Sequence, residues 1–149
     1  MNEEIENLLH RENMVLASIK KRSLAFLIDE VLLSLLLMFA LWDSFTGATT
    51  TEDIILVTNT FILEFLAMKI FYQAFFVMKY GASIGKIVMK IRVIEINTLQ
   101  TPSVVSALNR GIFRVVGELF FYFGFLWGML DPSRQTLHDK TAKTLVIDA

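Results

Sequence analysis

Three long apolar segments constrain this chain more than any other feature of its sequence. The first covers residues 24–42, the second covers 54–78 and the third covers 104–130. Each holds only two or three charged residues. A helix of about 20 predominantly apolar residues is long enough to cross the hydrocarbon core of a bilayer. We therefore predict an all-α membrane protein, with two transmembrane helices followed by a third hydrophobic segment.

Composition supports this class and excludes several others. Of the 149 residues, 54% are apolar, none is cysteine and the net charge is -1. Disulfides and cysteine-ligated metals are therefore excluded, and a charge near zero argues against nucleic-acid binding. The only two histidines, His10 and His138, form no catalytic arrangement with a serine and an aspartate. We expect no enzymatic activity, no metal and no cofactor.

The distribution of Lys and Arg predicts the orientation in the membrane. The stretch 1–23 holds four, the loop 43–53 holds none, the loop 79–103 holds four and the tail 131–149 holds three. Positively charged residues near helix ends stay on the cytoplasmic side. The N-terminus and the loop 79–103 are therefore predicted to be cytoplasmic, and the loop 43–53 is predicted to lie outside.

The path of the third segment stays open. A single crossing would place the basic tail outside, against the charge rule. Residues 87–96 and 144–147 are rich in β-branched residues and read as short strands. If these strands pair, the tail is cytoplasmic and 104–130 must enter and return as a broken or re-entrant hairpin. Both the full span and the hairpin agree with the sequence.

The N-terminal residues 1–20 form a leader ahead of the membrane domain at 21–149. Apolar side chains recur among its charges, at Ile5, Leu9 and Leu16 for example. This pattern predicts an amphipathic helix on the inner membrane surface, or else a partly ordered leader.

Seven ionisable residues lie inside the apolar segments, where each costs about 2.5–3.5 kcal/mol if it faces lipid. They are Asp29, Glu30, Glu64, Lys69, Arg110, Arg114 and Glu118. Helical spacing places most of them, with Gln73, in one layer near the cytoplasmic side. One interpretation is an ion- or proton-binding site at Asp29, Glu64 and Lys69. The other is a network of ion pairs that holds the helices together.

Four motifs, taken in order, resemble the RDD family of small bacterial membrane proteins. They are KRSLAFLID at 21–29, GASIGKxxxKIRV at 81–93, NRxxxR at 109–114 and RQTLHDKTAKTxV at 134–146. The resemblance covers roughly residues 18–148. It implies a multi-pass protein of the bacterial inner membrane, and it draws attention to Arg22, Asp29 and Asp139. A hydrogen-bonded ion pair between Arg22 and Asp139 at the cytoplasmic surface is our hypothesis for two of them.

Two functions follow as expectations. The resemblance implies a secondary transporter, with sodium or lithium/proton antiport suggested for some family members. In that case Asp29 exchanges a proton and a cation, and Arg22, Arg110 and Arg114 tune it. Three apolar segments leave little room for a solute path, so we expect a homo-oligomer. The alternative is a non-transporting membrane scaffold or assembly factor, whose buried charges fix helix packing.

Overall fold

Helices dominate the computed structural model, which describes residues 3–120 and 123–149. A single two-stranded antiparallel sheet accompanies them in these ranges. The elements in chain order are α1 (Glu3–Arg11), α2 (Ile19–Ala40), α3 (Trp42–Thr46), α4 (Thr51–Thr60), α5 (Ile62–Tyr80), α6 (Ile84–Val88), β1 (Ile91–Glu95), α7 (Val104–Leu119), α8 (Phe123–Leu130), α9 (Leu137–Thr141) and β2 (Thr144–Asp148).

Helix α2 contains most of the first apolar segment. It has 22 residues and, within the described ranges, it alone is long and apolar enough to cross a membrane as one helix. It begins ahead of the apolar segment because the Ser18 hydroxyl accepts a hydrogen bond from the Lys21 amide, which caps the helix. Large side chains such as Leu27, Val31 and Phe39 are exposed along it. Such an apolar exterior is suited to lipid.

The second apolar segment is not one straight helix. Helices α4 and α5 meet at Phe61 with a bend of 54°, so the pair is either a broken span or a re-entrant loop. The hydroxyls of Thr58 and Thr60 donate to the carbonyl oxygens of Ile54 and Leu56 one turn earlier. Hydroxyl groups that bond back in this way often bend helices. Neither proline nor glycine marks the break in the sequence.

The third segment is divided into α7 and α8, and the predicted strands on either side of it are confirmed. Strands β1 and β2 pair antiparallel, from Ile91 opposite Asp148 to Glu95 opposite Thr144. The sheet is shorter than predicted because residues 84–88 form α6 instead. The chain leaves β1, passes through α7 and α8, and then returns so that β2 pairs with β1. This connectivity is that of a broken hairpin.

The N-terminal helix α1 exists, and its apolar side packs against the sheet. Ile5 and Leu9 are buried in a cluster with Ile94, Leu145 and Ile147. Further along, Leu16 forms a bridge with Ile147, and the Ala17 amide donates to the Val146 carbonyl. The predicted amphipathic helix therefore covers protein rather than presenting these two side chains to the membrane surface.

Candidate functional site

Nine charged side chains from five helices meet in the interior beside the sheet. We call them the charge cluster: Arg22, Asp29, Glu30, Lys69, Lys86, Arg110, Arg114, Glu118 and Asp139. The side chains in its ion pairs are at most 21% exposed. The layer predicted from helical spacing is therefore present as a connected set of contacts. Glu64, which helical spacing places further outward than this layer, is exposed on α5.

Asp139 neutralises two arginines at the sheet end of the cluster. Its fully buried carboxylate forms ion pairs with Arg22 and Arg110. The same carboxylate accepts hydrogen bonds from the Thr136 amide at 3.1 Å and from the Thr136 hydroxyl at 2.9 Å, which caps α9. Burial opposes ionisation, but attraction to Arg22 and Arg110 outweighs it and holds the pKa of Asp139 well below its ordinary value. The Arg22–Asp139 ion pair expected from the sequence is thus present.

Asp29 fixes the turn that leads into α6. Its carboxylate accepts hydrogen bonds from the Tyr72 hydroxyl at 2.7 Å, the Ser83 hydroxyl at 2.6 Å and the Gly85 amide at 2.8 Å. The guanidinium of Arg114 lies 3.7 Å away. Both carboxylate oxygens are therefore engaged, and Asp29 joins α2, α5 and α6.

Lys69 lies between two carboxylates at the other end of the cluster. Its ammonium contacts Glu30 at 2.8 Å and also contacts Glu118. Arg114 approaches the same pair, at 3.6 Å from Glu30 and 3.4 Å from Glu118. Its guanidinium also donates to the Gln73 side chain. One oxygen of Glu30, Oε1, accepts no hydrogen bond within the described residues.

Lys86 is a member that sequence reasoning missed. It lies in the loop 79–103 that was predicted to be cytoplasmic, yet α6 packs against α2 and the residue is 9% exposed. Gly85 makes this approach possible, because a Cβ atom there would lie 2.0 Å from the Ala25 carbonyl oxygen. Burial, followed by repulsion from Arg110 and Arg114, lowers the pKa of Lys86 well below its ordinary value.

Sequence reasoning also left out the partners of Asp29, namely Tyr72, Ser83 and the Gly85 amide. The GASIGK motif at 81–86 was the available signal, since it marks a tight turn of small residues. Glu30 is one of the seven ionisable residues of the apolar segments, but it points about 100° away from Asp29 on a helix, so the sequence did not predict that both belong to one cluster. Within the part of the chain described, no group of three or more His, Cys, Asp or Glu side chains could hold a metal ion.

These features define a small α-helical protein of membrane type, with an apolar exterior and an ionisable interior. The sequence profile of the RDD family matches residues 16–143. The chain therefore belongs to the RDD family, as its motifs predicted. No curated protein and no solved structure matches it.

Proposed function

We propose that this protein is a secondary transporter that exchanges a monovalent cation, sodium or lithium, for a proton. The exchange site we propose consists of Lys69, Glu30 and Glu118. One observation carries the proposal: the ammonium of Lys69 lies between two carboxylates in the interior of a lipid-exposed helical protein.

The chemistry follows from charge balance. An uncompensated charge at membrane depth is costly, so the two carboxylates need cationic partners. A sodium ion can take the place of the Lys69 ammonium only if Lys69 gives up its proton, since the site would otherwise carry one charge too many. One cation bound then corresponds to one proton released, and the net charge of the site does not change. The exchange is therefore electroneutral.

Two carboxylates suit a transported ion better than a resident one. With Glu30 and Glu118 as the only acidic ligands, a divalent ion lacks the larger set of oxygens that calcium sites provide. A monovalent cation would be held weakly enough to leave again. The Glu30 side chain is 21% exposed, more than that of Lys69 or Glu118, and is therefore the member of the site that the protein encloses least.

Asp29 is less suited to the role that the sequence suggested for it. A cation could reach this carboxylate only by breaking hydrogen bonds to Tyr72, Ser83 or Gly85. We assign Asp29 to positioning α6. Exchange across the membrane also requires more helices than one chain provides, because the described residues offer one spanning helix, or two if the bent pair counts as one span. We therefore propose a homo-oligomer.

A non-transporting scaffold or assembly factor is the second candidate. The complete engagement of Asp29 and Asp139 favours it, because both carboxylates hold separate elements together. In this case the buried ion pairs fix helix packing and bind no cargo.

Proton movement in proteoliposomes distinguishes the two functions. Sodium, lithium and potassium gradients are imposed in turn, and a pH-sensitive dye reports internal pH. We expect a sodium- or lithium-driven pH change in the wild type and in Lys79→Met, an exposed lysine near the end of the same helix. A short circuit of the membrane potential by valinomycin and potassium should not reduce it.

The variant at the exchange site must keep the charges balanced. Lys69→Met combined with Glu118→Gln removes one charge of each sign, so it leaves no extra buried carboxylate unpaired. We expect this folded double variant to show no cation-driven pH change. An undiminished signal would refute the site, and a silent wild type with all three cations would favour the scaffold.

A further inference from the structure

The charge cluster is not electrically balanced. Its cations are Arg22, Lys69, Lys86, Arg110 and Arg114, and its carboxylates are Asp29, Glu30, Glu118 and Asp139. The unmatched charge can be located. Lys69 and the three arginines each form an ion pair with at least one of the carboxylates. Lys86 forms no ion pair and no side-chain hydrogen bond within residues 3–120 and 123–149.

A second observation lies beside Lys86. Arg110 is 1% exposed, and two of its guanidinium nitrogens, Nε and Nη2, are buried without a hydrogen-bond acceptor in the described part of the chain. Buried donors of this kind are rare in folded proteins, because a group removed from water without a partner loses its full hydration energy. Two neighbouring residues therefore carry unmatched N–H donors, and both are cationic.

Both residues line the same small cavity, which we call the cluster cavity. It has a volume of about 20 Å³. Its lining residues are Arg22, Phe26, Asp29, Lys86, Arg110, Arg114 and His138. Four of the seven are lysine or arginine, whereas Asp29 is the one carboxylate and its oxygens are already engaged.

We propose that the cluster cavity binds one monoatomic anion of the halide class, held by the Lys86 ammonium and the unmatched N–H groups of Arg110. Bound there, the anion matches the five cations with five negative charges. The volume of the cavity determines which class of anion can bind, because a cavity of about 10–15 Å³ holds one water molecule. A cavity of about 20 Å³ fits one chloride or bromide ion, but not a sulfate, a phosphate headgroup or a carboxylate.

This site is separate from the proposed exchange site, although Arg114 contacts both. It binds the opposite sign of charge and does not depend on transport. The competing arrangement is a neutral Lys86 amine with a water molecule in the cavity. Burial and the nearby arginines lower the pKa of Lys86 and favour that arrangement when no anion is bound. The two arrangements differ in one measurable property, which is whether halide stabilises the fold.

Thermal unfolding of the purified full-length protein in detergent tests the proposal. The buffers contain sodium chloride, sodium bromide, sodium gluconate or sodium sulfate at equal sodium concentration, and N-methylglucamine gluconate brings the monovalent buffers to the ionic strength of the sulfate buffer. Equal sodium removes any contribution from the proposed exchange site. A ligand that binds only the folded state raises Tm with its concentration. We expect chloride and bromide, relative to gluconate, to raise the wild-type Tm by about 3 °C or more, whereas sulfate stabilises by exclusion from the protein surface and should do so equally in a variant without the site.

The variant Lys86→Met removes the unmatched charge and keeps the length of the side chain. We expect it to fold and to lose the difference between chloride and gluconate. Lys20→Met, at an exposed lysine on α2, should keep the full difference. Titration of chloride into the wild type, followed by chloride NMR line broadening, gives a second readout that needs no variant.

Three outcomes would overturn the proposal. The first is a wild-type Tm that is the same in chloride and gluconate, with no broadening of the chloride signal. The second is a folded Lys86→Met that responds to chloride as the wild type does. The third is a sulfate-dependent rise in Tm that equals that in chloride and is lost in Lys86→Met, because sulfate would then occupy a cavity too small for it.

Discussion

At the residue scale, the Asp139 carboxylate joins α2, α7 and α9. It neutralises Arg22 and Arg110 and also caps α9. Asp139→Asn keeps the shape but removes the charge, so the buried Arg110 and the partly buried Arg22 lose a counter-ion. Removing one partner of a buried ion pair costs about 3–5 kcal/mol. We expect a loss of this size in the free energy of unfolding, measured by chemical denaturation in detergent micelles.

The control for this substitution is Asp148→Asn. Asp148 forms an ion pair with Lys21 at 2.8 Å, but the two side chains are 37% and 39% exposed. Exposed pairs contribute about 0–1 kcal/mol. Equal losses in the two variants would show that burial does not determine the strength of the Asp139 contacts.

His138 gives the molecule a pH dependence outside the apolar segments. The Thr136 hydroxyl donates its proton to the Asp139 carboxylate. Its oxygen therefore accepts a hydrogen bond from the Nε2–H group of His138, 2.9 Å away. Burial holds the pKa of His138 well below 6.5 despite the attraction of Asp139. The unfolded chain then takes up a proton that the folded chain does not bind. The stability that the folded chain owes to a neutral His138 is fully present above pH 6.5 and is lost as the pH falls below this value.

We therefore expect the wild type to lose about 1 kcal/mol more than His138→Gln between pH 7.5 and pH 5.5, since one unmatched proton changes stability by about 1.4 kcal/mol per pH unit. The glutamine keeps an N–H donor for Thr136. Denaturation curves at the two pH values give the difference, and His10→Gln, at an exposed histidine, should behave as the wild type. Parallel losses in wild type and His138→Gln would refute this assignment.

At the scale of elements, the approach of α6 to α2 depends on Gly85. A Cβ atom there would lie 2.0 Å from the Ala25 carbonyl oxygen and 2.9 Å from the Asp29 carboxylate. Gly85→Ala should therefore separate the two helices, break the Gly85–Asp29 hydrogen bond and cost more than about 3 kcal/mol. Gly117→Ala is the matched control. It has no atom within 4 Å of the new Cβ, and alanine in a helix interior should stabilise the fold by up to about 1 kcal/mol.

The measurement for both glycine variants is denaturant unfolding followed by circular dichroism. If Gly85→Ala were no less stable than the wild type, α6 could not lie as close to α2 as the structure shows. Gly85→Ala should also lose anion binding, because Lys86 follows Gly85 on the same short helix and would leave the cluster cavity.

These contacts show which parts of the fold the sequence could predict. Regular spacing was sufficient to predict α2 and the layer of ionisable residues near one end of the helices, because helical periodicity is a local property. The motifs were sufficient for the Arg22–Asp139 pair. The burial of Lys86 was not predictable, since it depends on two helices 60 residues apart in sequence coming into contact. The bend at Phe61 was missed because neither proline nor glycine marks it, and threonine hydroxyls that bond back to carbonyl oxygens, as Thr58 does, are a weaker sequence signal.

At the scale of the whole molecule, the sheet determines the path of the third apolar segment. Glu95 lies opposite Thr144, so the chain must return after α8 to the side from which α7 departs. A straight third crossing would place β1 and β2 on opposite sides of the membrane, where they could not pair. The basic residues of both flanking stretches predict that this shared side is cytoplasmic.

Accessibility of single cysteines in intact cells tests this path, and the chain has no native cysteine to remove. Asn97→Cys and Ala149→Cys place thiols near the ends of the two strands, and Glu52→Cys places one at the start of α4. We expect an impermeant reagent to label Glu52→Cys in intact cells and the other two only after permeabilisation. Labelling of Ala149→Cys alone among the strand-end variants would exclude the paired sheet in the membrane. Labelling of both strand-end variants, with Glu52→Cys protected, would instead keep the hairpin and invert the orientation, because the sheet requires only that Asn97 and Ala149 share a side.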